Sequence, residues 1–204
     1  MTQEELVDLS TTSRRPVDQA LLEAILSRQE DVSLKAPGVF AHYYRFLYRL
    51  IEKIKPRLCL ELGTHTGISS ACMADGYPDG KIVTVNNRNE LRDECRRPNV
   101  EYLIRDSLAE YIPPVPIDIL FIDTEHNGIR CLSEYNLYIK HMAPDGIVFF
   151  DDIFLNGEMK DFWKNFNPPD GDKFELLVHG WAGFGGILLR PLRLEEGISD
   201  ENSA

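Results

Sequence analysis

The stretch Leu60-Glu61-Leu62-Gly63-Thr64-His65-Thr66-Gly67-Ile68-Ser69-Ser70 (LELGTHTGISS) decides how the rest of this chain is read. An apolar run over 57–62 stops at Gly63, and a second glycine, Gly67, opens a segment with helical spacing. A strand that ends at a glycine and passes directly into a helix is the repeating unit of a parallel sheet. Gly63 and Gly67 permit backbone angles closed to other residues and let a ligand approach the main chain. The helix beginning near Gly67 aims its unpaired N–H groups at the same point, where Ser69 and Ser70 add hydroxyls.

Working outward, strand and helix alternate. Strands are expected over 57–62, 81–86, 100–105, 117–123 and 146–152. Helices are expected over 67–76, 127–142 and 158–167, with a short helix at 89–96 and a helical turn at 107–111. In the 127–142 helix, Ile129, Leu132, Ile139 and Met142 share one face. Strands that are apolar throughout suit a sheet covered by helices on both sides. Right-handed crossovers then give a doubly wound, Rossmann-like α/β domain. The last two strands, 173–179 and 184–190, are joined by Gly-Trp-Ala-Gly and have no room for a crossover helix, so they form an antiparallel hairpin. Ahead of the alternation, two helices are expected over 16–33 and 39–55, the second rich in Tyr and Phe. The chain thus divides into an N-terminal helical cap (1–55), an α/β domain (56–191) and a flexible acidic tail (192–204).

Composition narrows the function classes. The 204 residues include 43% hydrophobic side chains, enough for one domain with a full core. No apolar stretch reaches the ~20 residues a membrane helix needs, and the first 15 residues lack the apolar core of a secretory signal. The cytoplasm is the default compartment, and no membrane partner is expected. The net charge of −11 repels polyphosphate, so no nucleic-acid partner is expected either. Cys59, Cys72, Cys95 and Cys131 show no C-x-x-C spacing and read as reduced, buried thiols.

Ligands of open α/β sheets sit beyond the carboxyl ends of the central strands. Those ends are acidic here. The first carries Glu61, the fourth ends in Asp123 followed by His126, and the fifth ends in Asp151-Asp152. Glu61 beside the glycine turn disfavours a pyrophosphate and suits a ligand with positive charge. The spacing G-x-x-x-G also differs from the G-x-G-x-x-G of dinucleotide folds. Three carboxylates around one cleft suit a hard cation such as Mg²⁺. His126 offers an imidazole, whose ordinary pKa near ~6.5 leaves it neutral and able to take a proton. His65 reads as a loop side chain.

Glu61-Leu-Gly63-Thr-His-Thr-Gly67 resembles the first motif of the class I S-adenosylmethionine-dependent methyltransferases, and the likeness runs from about residue 40 to residue 190. It implies a seven-stranded, mostly parallel sheet in the order 3-2-1-4-5-7-6. It also implies a donor site in which Glu61 and Gly63 flank the methionine end, Glu61 near the ammonium, within the turn that carries Gly67 and Ser69. Asp106 and Ser107 match the adenine side, with Asp106 accepting from the adenine amino group. That family places an acid at the end of the second strand, on the ribose hydroxyls, whereas this chain has Asn86-Asn87. An amide accepts less well than a carboxylate, a loss of roughly 1–3 kcal/mol in binding, unless another residue such as Glu90 takes the diol.

The strand-end acids are similar to those of metal-dependent O-methyltransferases related to catechol O-methyltransferase, and to those of bacterial tailoring methyltransferases. The likeness makes Asp123, Asp151 and Asp152 the metal ligands, and puts His126 where a lysine general base is usual. The implied activity is methyl transfer to the hydroxyl of a small-molecule acceptor, with Mg²⁺ as an optional assistant. Asp123 and His126 would be the catalytic residues. Tyr43, Tyr44, Phe46 and the Trp181 loop would wall the acceptor pocket. A helix-capped domain of this size can also pair as a homodimer. Two other classes stay open: a non-catalytic protein that keeps the fold as a cofactor binder or scaffold, and an NAD-type oxidoreductase.

Overall fold

The computed structural model describes residues 2–12, 39–176 and 182–190. Seven strands form one sheet: β1 (Leu58–Leu62), β2 (Lys81–Asn86), β3 (Val100–Ile104), β4 (Ile117–Ile122), β5 (Met142–Asp151), β6 (Gly171–Leu176) and β7 (Phe184–Leu189). Their spatial order is β3-β2-β1-β4-β5-β7-β6. β1 to β5 run parallel, while β7 pairs antiparallel with both β5 and β6. The expected order and terminal hairpin are therefore both present.

Side-chain alternation along the strands sorts the core into two layers, because successive residues of a strand face opposite sides. Cys59, Ile119, Phe121, Ile147 and Phe149 lie on one face, with Ile82. They pack against α1 (Gln3–Thr12), α2 (Val39–Ile54) and α3 (Ile68–Gly76). Leu58, Leu60, Leu62, Leu120, Ile122, Val148 and Phe150 lie on the other, under α4 (Gly128–Tyr138) and α5 (Gly157–Asn165). The α2 helix buries Tyr43, Phe46, Leu47, Leu50 and Ile51, a stripe at i, i+3, i+4, i+7 and i+8. Its aromatic rings meet Phe149 and Phe184 of the sheet edge to face and Phe121 at a tilt, with centroids 5.6–6.2 Å apart.

Several local expectations change. Within the expected N-terminal cap, Gln3–Thr12 forms a helix that was not placed there. That helix opens with a capping box in which Glu5 N–H donates to Thr2 Oγ1 at 3.2 Å and Thr2 N–H donates to Glu5 Oε2 at 2.8 Å. Leu6 seats it in the core. The expected helix at 89–96 shrinks to a 3-10 turn at Asp93–Cys95, and 107–111 is a non-helical turn. The α4 helix ends at Tyr138, and a 3-10 turn (Ile139–His141) leads into β5.

The buried stripe of α4 is Cys131, Glu134, Tyr135 and Tyr138. Ile129 and Leu132 are instead 80% and 39% exposed. Sheet geometry decided this face, because Tyr135 and Tyr138 reach the β4–β5 layer from it. All four cysteines are free and buried. Among the described residues no helix is long and apolar enough to cross a membrane. The expected helix over 16–33, the Trp181 loop and the 192–204 tail lie outside the described residues.

Candidate active site

The glycine turn after β1 forms one wall of a cleft above the sheet. Gly63 sits at φ 109° and Gly67 at φ 87°, both left-handed conformations that glycine adopts without strain. Gly63 N–H donates to Val85 O at 2.8 Å, and Asp123 N–H donates to Leu62 O at 2.8 Å, so the ends of β1, β2 and β4 are bound together. A methyl group at Gly63 would fall on the carbonyl of Asp123, which shows how closely the two strand ends approach. Gly67 caps α3 with no side-chain hydrogen bond, which leaves the first turn of that helix without a protein capping group.

Glu61 lies behind this turn. It is the direct register partner of Thr84 on β2, so both side chains project from the same face. The carboxylate is fully buried. It accepts from Ser69 Oγ at 2.5 Å and from Thr84 Oγ1, while Thr64 and Thr84 hydroxyls meet at 2.6 Å. Burial pushes its pKa up to about 7, against the opposing pull of the Ser69 and Thr84 hydroxyls. One buried carboxylate thus ties β1, β2 and the first turn of α3 into a single bracket.

The cleft itself has a volume of about 440 Å³. Gly63, Asn86, Ser107, Asp123 and His126, all named from sequence, line it together with His65, Glu90 and Arg130. His65 holds a left-handed φ of 44° there. At the β2 end, Asn86 Nδ2 donates to Arg88 O at 2.8 Å and to Glu90 Oε2 at 3.3 Å. The amide and Glu90 are therefore neighbours at one spot. Asp106, mostly exposed, stands after β3, and its carboxyl is held below the usual range by the Leu108 N–H and the Arg130 guanidinium.

His126 is carried at the N-terminus of α4 and fixed from both sides. Asn127 caps the helix by accepting from the N–H groups of Ile129 and Arg130. Asn156 Nδ2 donates to the His126 carbonyl at 2.9 Å. The imidazole Nε2 lies 2.9 Å from Oδ2 of Asp152 and 3.8 Å from Oδ1 of Asp123. Asp152 adopts a left-handed φ of 54°, an uncommon conformation for a residue with a side chain. Asp151 and Asp152 are both buried at the end of β5. Among the described residues no three His, Cys, Asp or Glu side chains converge as a metal-holding group. His126 Nε2 thus lies within 4 Å of two of the three carboxylates expected to hold a cation.

Tyr43 and Tyr44 reach the same region from α2. Their hydroxyls are held in the protonated form by burial and by the negative charges of Asp151, Asp123 and Glu61. The sequence reading passed over Arg130, Glu134, Thr84 and Thr124. Glu134 had a signal, because a carboxylate at i+3 from Cys131 and i−4 from Tyr138 sits on an apolar stripe.

Residues 60–153 match the family model of a methyltransferase domain. The matched stretch carries the glycine turn and the ends of β1, β2, β3, β4 and β5. An uncharacterized protein of Acanthamoeba polyphaga mimivirus is 27% identical over 110 residues, 46% of this chain and 50% of that protein. A probable caffeoyl-CoA O-methyltransferase of Dictyostelium discoideum is 23% identical over 128 residues, 55% of this chain and 50% of the relative. The matches thus span about half the length of these curated relatives. Among solved structures, a Podospora anserina methyltransferase with bound SAH superposes with a TM-score of 0.66 at 16% identity, covering 93% of this chain and 97% of that one. The O-methyltransferase TomG of Streptomyces achromogenes, in complex with SAM, superposes with a TM-score of 0.60 at 19% identity, covering 93% and 99%. At these identities the superpositions speak for the fold.

Proposed function

We propose that this chain transfers a methyl group from S-adenosylmethionine to a hydroxyl oxygen of a small-molecule acceptor. The observation that carries the reading is the His126 imidazole, set against Asp152 and Asp123 on the rim of the cleft that begins at Gly63. When bound, the donor supplies a methyl group on a sulfonium sulfur, which leaves as a neutral thioether as the acceptor oxygen takes the methyl.

The residues of the chain then have three tasks. Gly63, Gly67 and the uncapped start of α3 receive the methionine end, with Glu61 and Ser69 bracing the turn from behind. Asn86 and Glu90 face the ribose, and Asp106 and Ser107 the adenine. His126 takes the acceptor proton. Asp152 and Asp123 then stabilise the imidazolium that forms. Holding the oxygen in line with the methyl supplies much of the acceleration.

A cation bound by Asp123, Asp151 and Asp152 is a competing use of the same carboxylates, and it requires His126 to leave them. The similarity to a probable caffeoyl-CoA O-methyltransferase supports an O-linked acceptor. Calorimetric titration with S-adenosylmethionine, with and without Mg²⁺, tests the reading. Saturable one-to-one binding that is indifferent to Mg²⁺ is expected. Absence of binding under both conditions overturns it, and binding only with Mg²⁺ overturns the proton-transfer role of His126 in this arrangement.

A further inference from the structure

Glu134 is a fully buried carboxylate with no part in the methyl transfer described above. A charge removed from water persists only if it is paired and hydrogen-bonded. Three donors meet that need from three separate pieces of chain. Ser107 Oγ, after β3, donates at 2.5 Å; Thr124 Oγ1, after β4, at 2.8 Å; and Arg130 Nε, one turn earlier on α4, at 3.1 Å. Burial raises the Glu134 carboxyl, and these donors oppose the rise.

Arg130 extends the network to the cleft, whose wall it forms in part. Its terminal nitrogen donates to Ser107 Oγ at 2.7 Å and to Asp106 Oδ1 at 2.6 Å. A guanidinium is a rigid planar fork, so fixing Nε on Glu134 also fixes where the terminal nitrogen lies. Asp106 Oδ1 accepts from Leu108 N–H as well, at 2.9 Å. Both bonds fall on Oδ1, which leaves Oδ2 to accept from a ligand. Asp106 is 54% exposed, and without Arg130 its side chain would be free to change rotamer.

We propose that Glu134 and Arg130 are positioning residues for the adenine end of the donor: Glu134 fixes Arg130, Arg130 fixes Asp106, and Asp106 reads the amino group of the base. The proposal rests on the donor reading above. A purely structural role for the buried pair predicts a different outcome, in which its loss lowers stability and weakens every ligand alike.

The test compares S-adenosylhomocysteine with S-inosylhomocysteine, which carries a carbonyl where adenine has its amino group. Both are titrated calorimetrically into the full chain and into Arg130→Lys, Glu134→Gln, Asp106→Asn and the double variant Arg130→Met/Glu134→Gln. The double variant removes both charges of the pair together, so the buried carboxylate is not left without its partner, and thermal melting verifies that it folds. The intact protein is expected to prefer the adenine compound by roughly tenfold or more. That preference should fall to below about threefold in all four variants, through weaker adenosyl binding. A double variant that keeps the full preference overturns the proposal and leaves the donor reading standing. So does one that loses affinity for both compounds equally. If the intact protein binds both compounds equally, Asp106 does not read the base and the proposal falls. If it binds neither, the donor reading falls with it.

Discussion

The two sides of the cleft are built on opposite principles. On the donor side, Glu61 is fully buried and both of its oxygens accept from hydroxyls of neighbouring elements. On the chemistry side, the side chains of His126 and Asp123 are 35% and 25% exposed, and their contacts come from loops after β4 and β5. A buried, satisfied carboxylate makes a fixed scaffold, because every alternative rotamer strands a polar group away from water. A partly exposed imidazole between two carboxylates can exchange a proton with a ligand. The same type of group, an acid at a strand end, is therefore fully desolvated at β1 and partly exposed after β4. Burial and partners make the difference.

The largest expected effect falls on the chemistry side. His126→Ala should lower turnover by about 100- to 10,000-fold, the usual contribution of a general base, while leaving the donor dissociation constant nearly unchanged. Steady-state kinetics with a responsive acceptor, beside calorimetry, would measure both. If donor affinity fell in parallel with turnover, the two sides would not be separable.

The next effect belongs to Glu61 and appears as pH dependence of stability. Its folded pKa of about 7 lies above the ordinary 4.5, so between these values the folded state holds the proton that the unfolded state has released. Its contribution to stability is thus fully present below pH 4.5 and is lost as pH rises through 7. The loss is on the order of 3 kcal/mol. In Glu61→Gln that part of the slope should disappear, visible as a difference between the two denaturation curves across this window. The cationic donor adds a second signature, because a positive charge near Glu61 favours the carboxylate. Binding of S-adenosylmethionine should tighten as pH rises through 7 and release a proton, whereas a Glu61→Gln variant with the same pH profile would place the donor's charge elsewhere.

The smallest effect is at the end of β2. Replacing the amide in Asn86→Asp should tighten donor binding by about tenfold despite the nearness of Glu90, since a carboxylate accepts both ribose hydroxyls. Unchanged affinity would mean that Glu90 already carries the diol.

Much of this arrangement was legible in the order of residues. The strands and the glycine turn follow from apolar runs and breakers, while their spatial order was implied by the resemblance to the methyltransferase motif. Gly63, Asp123 and His126 could be named because strand ends of a parallel sheet converge on one rim, and Asn86 and Ser107 through the resemblance to the methyltransferases. Other features were not legible. Thr84 and Glu61 are 23 residues apart, and only the β1–β2 register makes them neighbours. The buried face of α4 was misjudged because Ile129 and Leu132 look like core residues, whereas the sheet takes Tyr135 and Tyr138 instead. The α1 helix carried its capping box in plain sight, Thr2 to Glu5, but its polar composition gave no apolar stripe to notice.

The sequence by itself determined the layers, the connection order and the positions of charge along the rim, because each depends on local periodicity and chain direction. The tertiary structure alone decided which of those charges are buried. Glu61 and Glu134 lose contact with water only when crossovers bring Thr84, Ser69, Ser107, Thr124 and Arg130 around them. Desolvation is a property of the assembled neighbourhood, and no stretch of the chain carries it alone.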